Sequence, residues 1–527
     1  MTARRLTAIL FSLLLLGIAC APTEGPESPE GAAEETGPFV YAHPTTFPDF
    51  DPSTGFSNDS AVNSSVYETL VRYHPGADEL VSPVLATEWE ANEDSTQWTF
   101  TLREGVKFHD GTDVTADAVK ASIERTMKLG EGAAFIWDPV KSITAVDDLT
   151  VEFSLKYPAP LDLVASAGYG AYIFSPDCVK GKNKQWFNEG NDCGSGPYTF
   201  KSYQPGERAV LERFDDYWGG WEEGQFETVV LQVVEDPALR QQMIESGDAD
   251  FTYDIPIDNL PALDENPDVR VVSNPAFQNL IAFFNTRKGA TSDPKVREAL
   301  SMAFPYNDYI DNVMQGYAEQ SRGVVPRGLF GYSEEIPQHE QNLDQAEQLL
   351  NEAGVDGDVS LTLTYATGDQ NEAQMAELWK AELAKIGVDL KIRAMSWEAQ
   401  WDLAKSDPER AQDIFVMYWW PTYPTPYDFL FSMFHSEDQP FFNLSYYSNP
   451  RFDRTIDKAN ELLGTDKAEA EQMFVEAQKM LYEDAPAVPI FDQENIHLIR
   501  EDIQGYEDNP AYSHVVFFYE LSRGAGG

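Results

Sequence analysis

Apolar and polar positions follow two rhythms along this chain, and the changes between them mark its elements. From about Tyr67 to Asp192, short alternations predict strands at Trp98–Arg103 (WTFTLR) and Leu149–Leu155 (LTVEFSL). Between them, Ala118–Met127 (AVKASIERTM) repeats its apolar residues at helical spacing, with Thr115 placed as the N-cap. A second region begins at Gly194, with strand-like runs Ala209–Glu212 and Thr228–Val234. The helix Pro237–Ser246 follows and is closed by Gly247. From about Ser273 to Ala487 the rhythm is α/β. Strands are predicted at Leu280–Phe284, Ser360–Tyr365, Val388–Arg393 and Ile414–Tyr418. They are separated by helices Asp344–Ala353, Ala373–Ile386 and Asp466–Glu483, which stop at Gly354, Gly387 and Pro486. Strands alternating with helices imply sheets flanked by helices. An aromatic strand, Val515–Tyr519, is expected to return to an earlier sheet. No internal repeat is visible.

The first twenty residues, MTARRLTAILFSLLLLGIAC, have a different logic. Arg4 and Arg5 precede an apolar run, Leu6–Leu16, that is short for a membrane span. Small residues lead to Cys20, and 21–37 (APTEGPESPEGAAEETG) reads as a disordered tether. This pattern resembles a bacterial lipoprotein signal whose cysteine is lipidated, although Gly17 and Leu16 depart from the usual spacing. An ordinary secretory signal with an incidental cysteine is the alternative. Both place the mature chain outside the cytoplasm, and Cys20 would tether it to the membrane.

Composition narrows the function. At 527 residues the chain exceeds one core, so two or three domains are expected. The formal charge of −51 repels nucleic acid and offers no basic face to anionic lipid. It fits a saline habitat or an acidic exported protein. Cys178 and Cys193 remain after Cys20, and in an exported protein they pair most simply with each other. Free thiols are the alternative. No zinc or other metal site is expected, because CxxC is absent and the seven histidines are scattered.

Enzyme signatures are missing: there is no G-x-S-x-G, H-E-x-x-H or P-loop, and no G-x-G-x-x-G opens a helix. His109-Asp110 sits in KFHDGT, where Asp110-Gly111 reads as a turn. What stands out is the aromatic window Met417–Phe434 (MYWWPTYPTPYDFLFSMF). Pro421, Pro424 and Pro426 exclude helix and central strand, so it reads as a stiff loop after strand Ile414–Tyr418. Ligands commonly bind beyond the carboxyl ends of strands in α/β sheets. Rigid rings there make large contacts at little entropic cost. Packing into a domain core is the competing reading. Trp397 and Trp401 in SWEAQW form a second candidate pair.

The string Leu85–Met127 (LATEWEANEDSTQWTFTLREGVKFHDGTDVTADAVKASIERTM) closely resembles a known signature. It is that of the peptide/nickel-type (oligopeptide-binding) extracytoplasmic solute-binding proteins of ABC importers, family 5. Gly194–Trp218 and Phe284–Phe304 are similar to later segments of that family, in its order. The likeness covers about Phe39 to Asp502. It implies a two-lobed α/β fold of the periplasmic-binding-protein class II that closes on its ligand. Lobe I would comprise 38–66, 193–272 and 488–527, with 67–192 as an inserted domain. Lobe II would be 273–487, joined by hinge strands near Val271–Asn274 and Pro486–Ile490. No catalytic residue or cofactor is implied. The implied partners are a small solute and the transmembrane permease of an ABC importer, and a monomer is expected.

Candidate ligand contacts are Phe47, Trp397, Trp419, Trp420, Thr422 and Tyr423. Peptide-binding relatives hold the ligand's amine with an aspartate four residues before the loop's proline. Pro426 is the equivalent proline, which puts neutral Thr422 at that place, with Asp428 displaced along the loop. A hydroxyl cannot pair a buried ammonium. This departure weighs against peptide binding and favours a sugar or other uncharged ligand, with peptide and oligosaccharide both kept open, and nickel is disfavoured because no histidine falls in the loop. An exported hydrolase using two carboxylates and a surface sensing lipoprotein are the readings from other classes.

Overall fold

Two long antiparallel strands, Val269–Phe284 and Ala487–Arg500, organise the fold. Their register runs from Val269 opposite Arg500 to Phe283 opposite Ala487. The computed structural model describes residues 37–75, 80–355, 359–438, 440–512 and 514–524. Cys20, the signal segment and all but the last residue of the tether lie outside them.

Each long strand has two sets of neighbours. At one end, Ile414–Trp419 pairs with Leu280–Phe284, followed outward by the parallel strands Val359–Ala366 and Val388–Met395. This is lobe II. At the other end Phe251–Tyr253 pairs with His497–Ile499. Outward from it lie Phe39–His43, Thr228–Val233, Arg208–Arg213 and Tyr198–Gln204, making lobe I. In lobe II the run Leu280–Phe284 is buried on both faces, which is why it reads as continuous rather than alternating. The parallel pair 359–366 and 388–395 needs a crossover, supplied by helix Gln370–Lys385. Asp369 caps that helix by accepting the Glu372 N–H at 2.8 Å.

The pairing of the two long strands breaks between Pro275 and Asn279, opposite Asp492–Glu494. Val271–Asn274 adjoins this break. Within Pro486–Ile490, Ala487–Pro489 is laddered to Ile281–Phe283, and the register slips again between Leu280 and Ile281, opposite Phe491 and Pro489.

The segment 67–192 carries its own four-stranded sheet, in the order Ala86–Ala91, Gln97–Leu102, Thr150–Leu155, Val140–Ala145. Helix Ala116–Leu129 packs on it. Its cap is Thr115, which accepts the Ala118 N–H at 3.3 Å, and Gly130 (φ 63°) ends it. Residues of this sheet share one buried cluster with Phe283, Phe434 and Phe474 of lobe II. Cys178 and Cys193 form a disulfide, with Cα atoms 5.7 Å apart. His109-Asp110 is a turn, as read. His109 also bonds Asp192 through Nδ1 and the Gly196 carbonyl through Nε2, at 2.9 Å.

One predicted strand is absent. Val515–Tyr519 does not return to the sheet as backbone: it forms coil and a single 3-10 turn. Val516 and Phe518 are nevertheless fully buried in lobe I, with Phe518 against Phe39. The tail is held without a strand ladder, by these side chains and by the Tyr519 carbonyl, which accepts from Gln225 Nε2.

Candidate ligand-binding cleft

Strand Ile414–Trp419 ends at the boundary between the lobes and delivers its last ring there. The loop that follows is held at both ends. Thr425 accepts the Asp428 N–H at 3.1 Å and caps helix Pro426–Phe434. The Asp428 carboxylate accepts the Thr422 N–H at 2.9 Å. Pro426 does not exclude helix here. It occupies the first helical position, where no N–H is required. Burial pushes the Asp428 carboxyl up to about 7, with Thr422 partly opposing that shift.

This loop walls a cavity of about 360 Å3 between the lobes. Trp397, Trp401, Trp419, Trp420 and Thr422 line it from lobe II, and Phe56 and Ser57 from lobe I. The rings form a connected set. Trp397 and Trp401 lie 5.5 Å apart, Trp401 and Phe442 5.5 Å, and Trp419 meets Phe442 edge-on at 5.0 Å. Phe442 reaches lobe I at Phe56, 6.4 Å away. Trp397 and Trp420 remain 45% and 41% exposed, so each keeps a free face for a ligand, whereas Trp419 is 7% exposed and mostly packed. No carboxylate, amine, guanidinium or imidazole belongs to the lining.

Four of the six expected contacts therefore converge: Trp397, Trp419, Trp420 and Thr422. Two do not. Tyr423 is 9% exposed and packs into the core cluster behind the loop. Phe47 is 4% exposed and packs on His43 at 4.9 Å and Phe50 at 6.1 Å within lobe I. Phe56, Phe441 and Phe442 were not anticipated. The aromatic pair in QPFFN was a usable signal that lay outside the densest window.

A second chamber of about 520 Å3 also lies between the lobes. It takes Glu235, Asp254 and Asp258 from lobe I and Asp369 and Asn371 from lobe II. Tyr418 lines the aromatic chamber, and burial, then the neighbouring Asp369, raise its hydroxyl well above the ordinary value. Among the described residues, no group of three or more His, Cys, Asp or Glu side chains is arranged to hold a metal ion. No helix among them is long and apolar enough to cross a membrane.

Two lobes joined by two crossing strands, with an aromatic chamber between them, define a solute-binding architecture. Comparison with known proteins agrees. The sequence profile of the bacterial extracellular solute-binding proteins, family 5, matches residues 81–441, and the chain belongs to that family. It is 30% identical to the Escherichia coli K12 protein named "Probable D,D-dipeptide-binding periplasmic protein DdpA", over 89% of this chain and 90% of that one. It is 26% identical to "Di/tripeptide-binding protein 2" of Pseudomonas aeruginosa, over 96% and 97%. The fold matches that of DppA, an ABC transporter-associated periplasmic binding protein of Helicobacter pylori solved with the peptide STSA. The TM-score is 0.82 at 24% identity, covering 93% of this chain and 98% of that one.

Proposed function

We propose that this protein captures short peptides outside the cytoplasm and hands them unchanged to the permease of an ABC importer. The observation that carries this reading is the aromatic chamber between lobes that only two strands connect. Names of the relatives supply the solute class: both curated relatives above are peptide binders by name. Nothing in them favours an oligosaccharide, so the neutral Thr422 modifies how a peptide is held rather than replacing the class. We assign lobe I to 38–66, 193–272 and 488–527, the inserted domain to 67–192 and lobe II to 273–487. The hinge would run through the irregular stretch of the ladder, from the slip at Pro489–Phe491 to the break at Asp492–Glu494, opposite Pro275–Ile281. Phe56, Phe442, Trp397 and Trp420 would close around one ligand side chain.

The protein would work as a monomer without catalysis, anchored through lipid on Cys20. Two or more acyl chains give stable anchoring where one is marginal. Cys20→Ala should move the protein to the soluble fraction. Persistence on salt-washed membranes would refute the anchor. The function itself is tested by titration calorimetry of refolded, ligand-free protein with peptide and oligosaccharide panels. Micromolar peptide binding, with the peptide recovered intact, is expected. Binding confined to oligosaccharides, or peptide cleavage, would overturn the reading.

A further inference from the structure

The inserted domain is fastened to lobe I. Arg125 pairs with Asp51 of lobe I through two bonds of 2.6 Å. Glu68 accepts from Ser195 at 2.8 Å, Tyr217 at 3.0 Å and Trp218 at 2.8 Å, all in lobe I. Toward lobe II it presents ring edges, such as Phe135 at 6.5 Å from Phe441. The two sides also stand apart around a cavity of about 620 Å3. At the rim of this cavity two tips meet. One is the turn 92–96 of the β-hairpin between strands Ala86–Ala91 and Gln97–Leu102. The other is the turn 463–466 between helices Pro450–Leu462 and Lys467–Asp484 of lobe II.

Both tips are braced from within. In the β-hairpin, the Asn92 side chain accepts the N–H groups of Thr96 and Gln97, each at 2.9 Å. In lobe II, Asp466 donates its N–H to the Leu462 carbonyl at 2.8 Å and caps the second helix by accepting the Glu469 N–H at 3.0 Å. Asn92, Glu93 and Asp94 are exposed, yet Ser95 is only 1% exposed. Gly464 lies directly against it. A Cβ at Gly464 would collide with the Ser95 Oγ and lie 2.7 Å from the Ser95 Cβ. Turning the hydroxyl cannot relieve the second approach, so position 464 admits no side chain while the tips touch. The φ of Gly464 lies outside the left-handed region, so the contact, and not the backbone, excludes a side chain there.

We propose that Ser95 and Gly464 form the stop on which the closing lobes come to rest, and so set how near the two walls of the aromatic chamber approach. The proposal rests on the reading that the lobes close on a solute, and extends it to the residues that fix the closed distance. Neither residue lines the aromatic chamber, so both act as positioning residues. The chamber walls face each other through Phe442, which lies 6.4 Å from Phe56 and 6.3 Å from Phe135. Such separations depend on where two rigid bodies halt. A gap of about 0.5–1 Å forfeits roughly a quarter to a half of the dispersion attraction between a wall and a ligand. A methyl group in the seat would hold the lobes apart, and the solute would lose contact with one wall.

The test uses the full chain, freed of solute, with the dipeptides Ala-Phe, Phe-Ala and Ala-Trp as probes. Gly464→Ala should weaken the tightest of these probes at least about tenfold. Adding Ser95→Gly removes both colliding atoms and suits the φ of 53° at that position. The double variant should recover the starting affinity to within about threefold, because the two substitutions meet in one contact. A glycine with a merely structural role in lobe II would not be rescued from the inserted domain. Unchanged binding by Gly464→Ala, or a loss that Ser95→Gly does not repair, overturns the proposal. If none of the probes binds, that failure bears on the solute class and not on the stop, which is then judged without a ligand. Ser95→Cys/Gly464→Cys, oxidised to join the tips, should lower acrylamide quenching of tryptophan fluorescence against the same variant with those two thiols alkylated. Equal quenching, or tips that cannot be joined, overturns the proposal and leaves solute capture intact.

Discussion

The two chambers of the cleft have opposite chemistry and opposite origins. The aromatic chamber draws four of its rings from two short stretches, Trp397–Trp401 and Trp419–Trp420, each visible as a cluster in the chain. The acidic chamber draws on Glu235, Asp254, Asp258 and Asp369, spread over more than a hundred positions. In a chain with 88 acidic residues these four carry no signal of their own. Rings cluster in sequence because a rigid loop must present them together. Charges act over several ångströms and need only converge in space.

The comparison is broken or sharpened most strongly at Trp419. Its ring is packed between the strand and Phe442, so Trp419→Ala should cost about 3 to 5 kcal/mol of folding stability as well as binding. Chemical denaturation would show it. A stability loss below about 1 kcal/mol would mean that Trp419 is a ligand contact and not a core residue. Trp420→Ala should do the reverse. With 41% of the residue exposed, its loss should leave the unfolding midpoint nearly unchanged and weaken ligand binding by about 2 kcal/mol, roughly thirtyfold. Calorimetry on the same peptide probe separates the two effects.

The acidic chamber should respond to pH, and the sign is fixed. Burial first, and then the charge of Asp369, hold the Glu372 carboxyl above its ordinary value. A carboxyl raised on folding favours the folded state fully below its unfolded value. That contribution fades as pH rises through the folded value. Stability should therefore decline from about pH 5 upward through this group. Glu372→Gln should raise the unfolding free energy near pH 8 by about 1 kcal/mol and change little near pH 5. An equal effect at both pH values would show that the carboxyl is ionised in the fold.

Much of the fold was legible from local patterning. The helix after Thr115, the helix Pro237–Ser246 and the strands near 360, 388 and 414 formed within a few residues of their expected bounds. These elements have a cap, a glycine stop or a clear period, all properties of neighbouring residues. Two misreadings share one cause. Pro426 opens a helix because Thr425 and Asp428 complete its cap. Val515–Tyr519 forms no strand, because Val516 and Phe518 are buried by packing on lobe I, with Phe518 against Phe39. In each case a partner distant in sequence, or a cap built by the next turn, outranked local preference.

The chain alone therefore determined what kinds of segment exist, the pairing of Cys178 with Cys193 as the simplest choice, and a rigid run of rings after a strand. Period, capping and proline stiffness act over one or two turns and need no tertiary context. Only the tertiary structure decided which of those rings face the cleft. It turned Tyr423 and Phe47 into core and brought Phe56 and Phe442 to the wall of the aromatic chamber. It also assembled an acidic chamber from residues that never adjoin in sequence. The orientation of a loop side chain and the convergence of charges depend on where distant strands pair, and that register is set by the burial of the whole sheet.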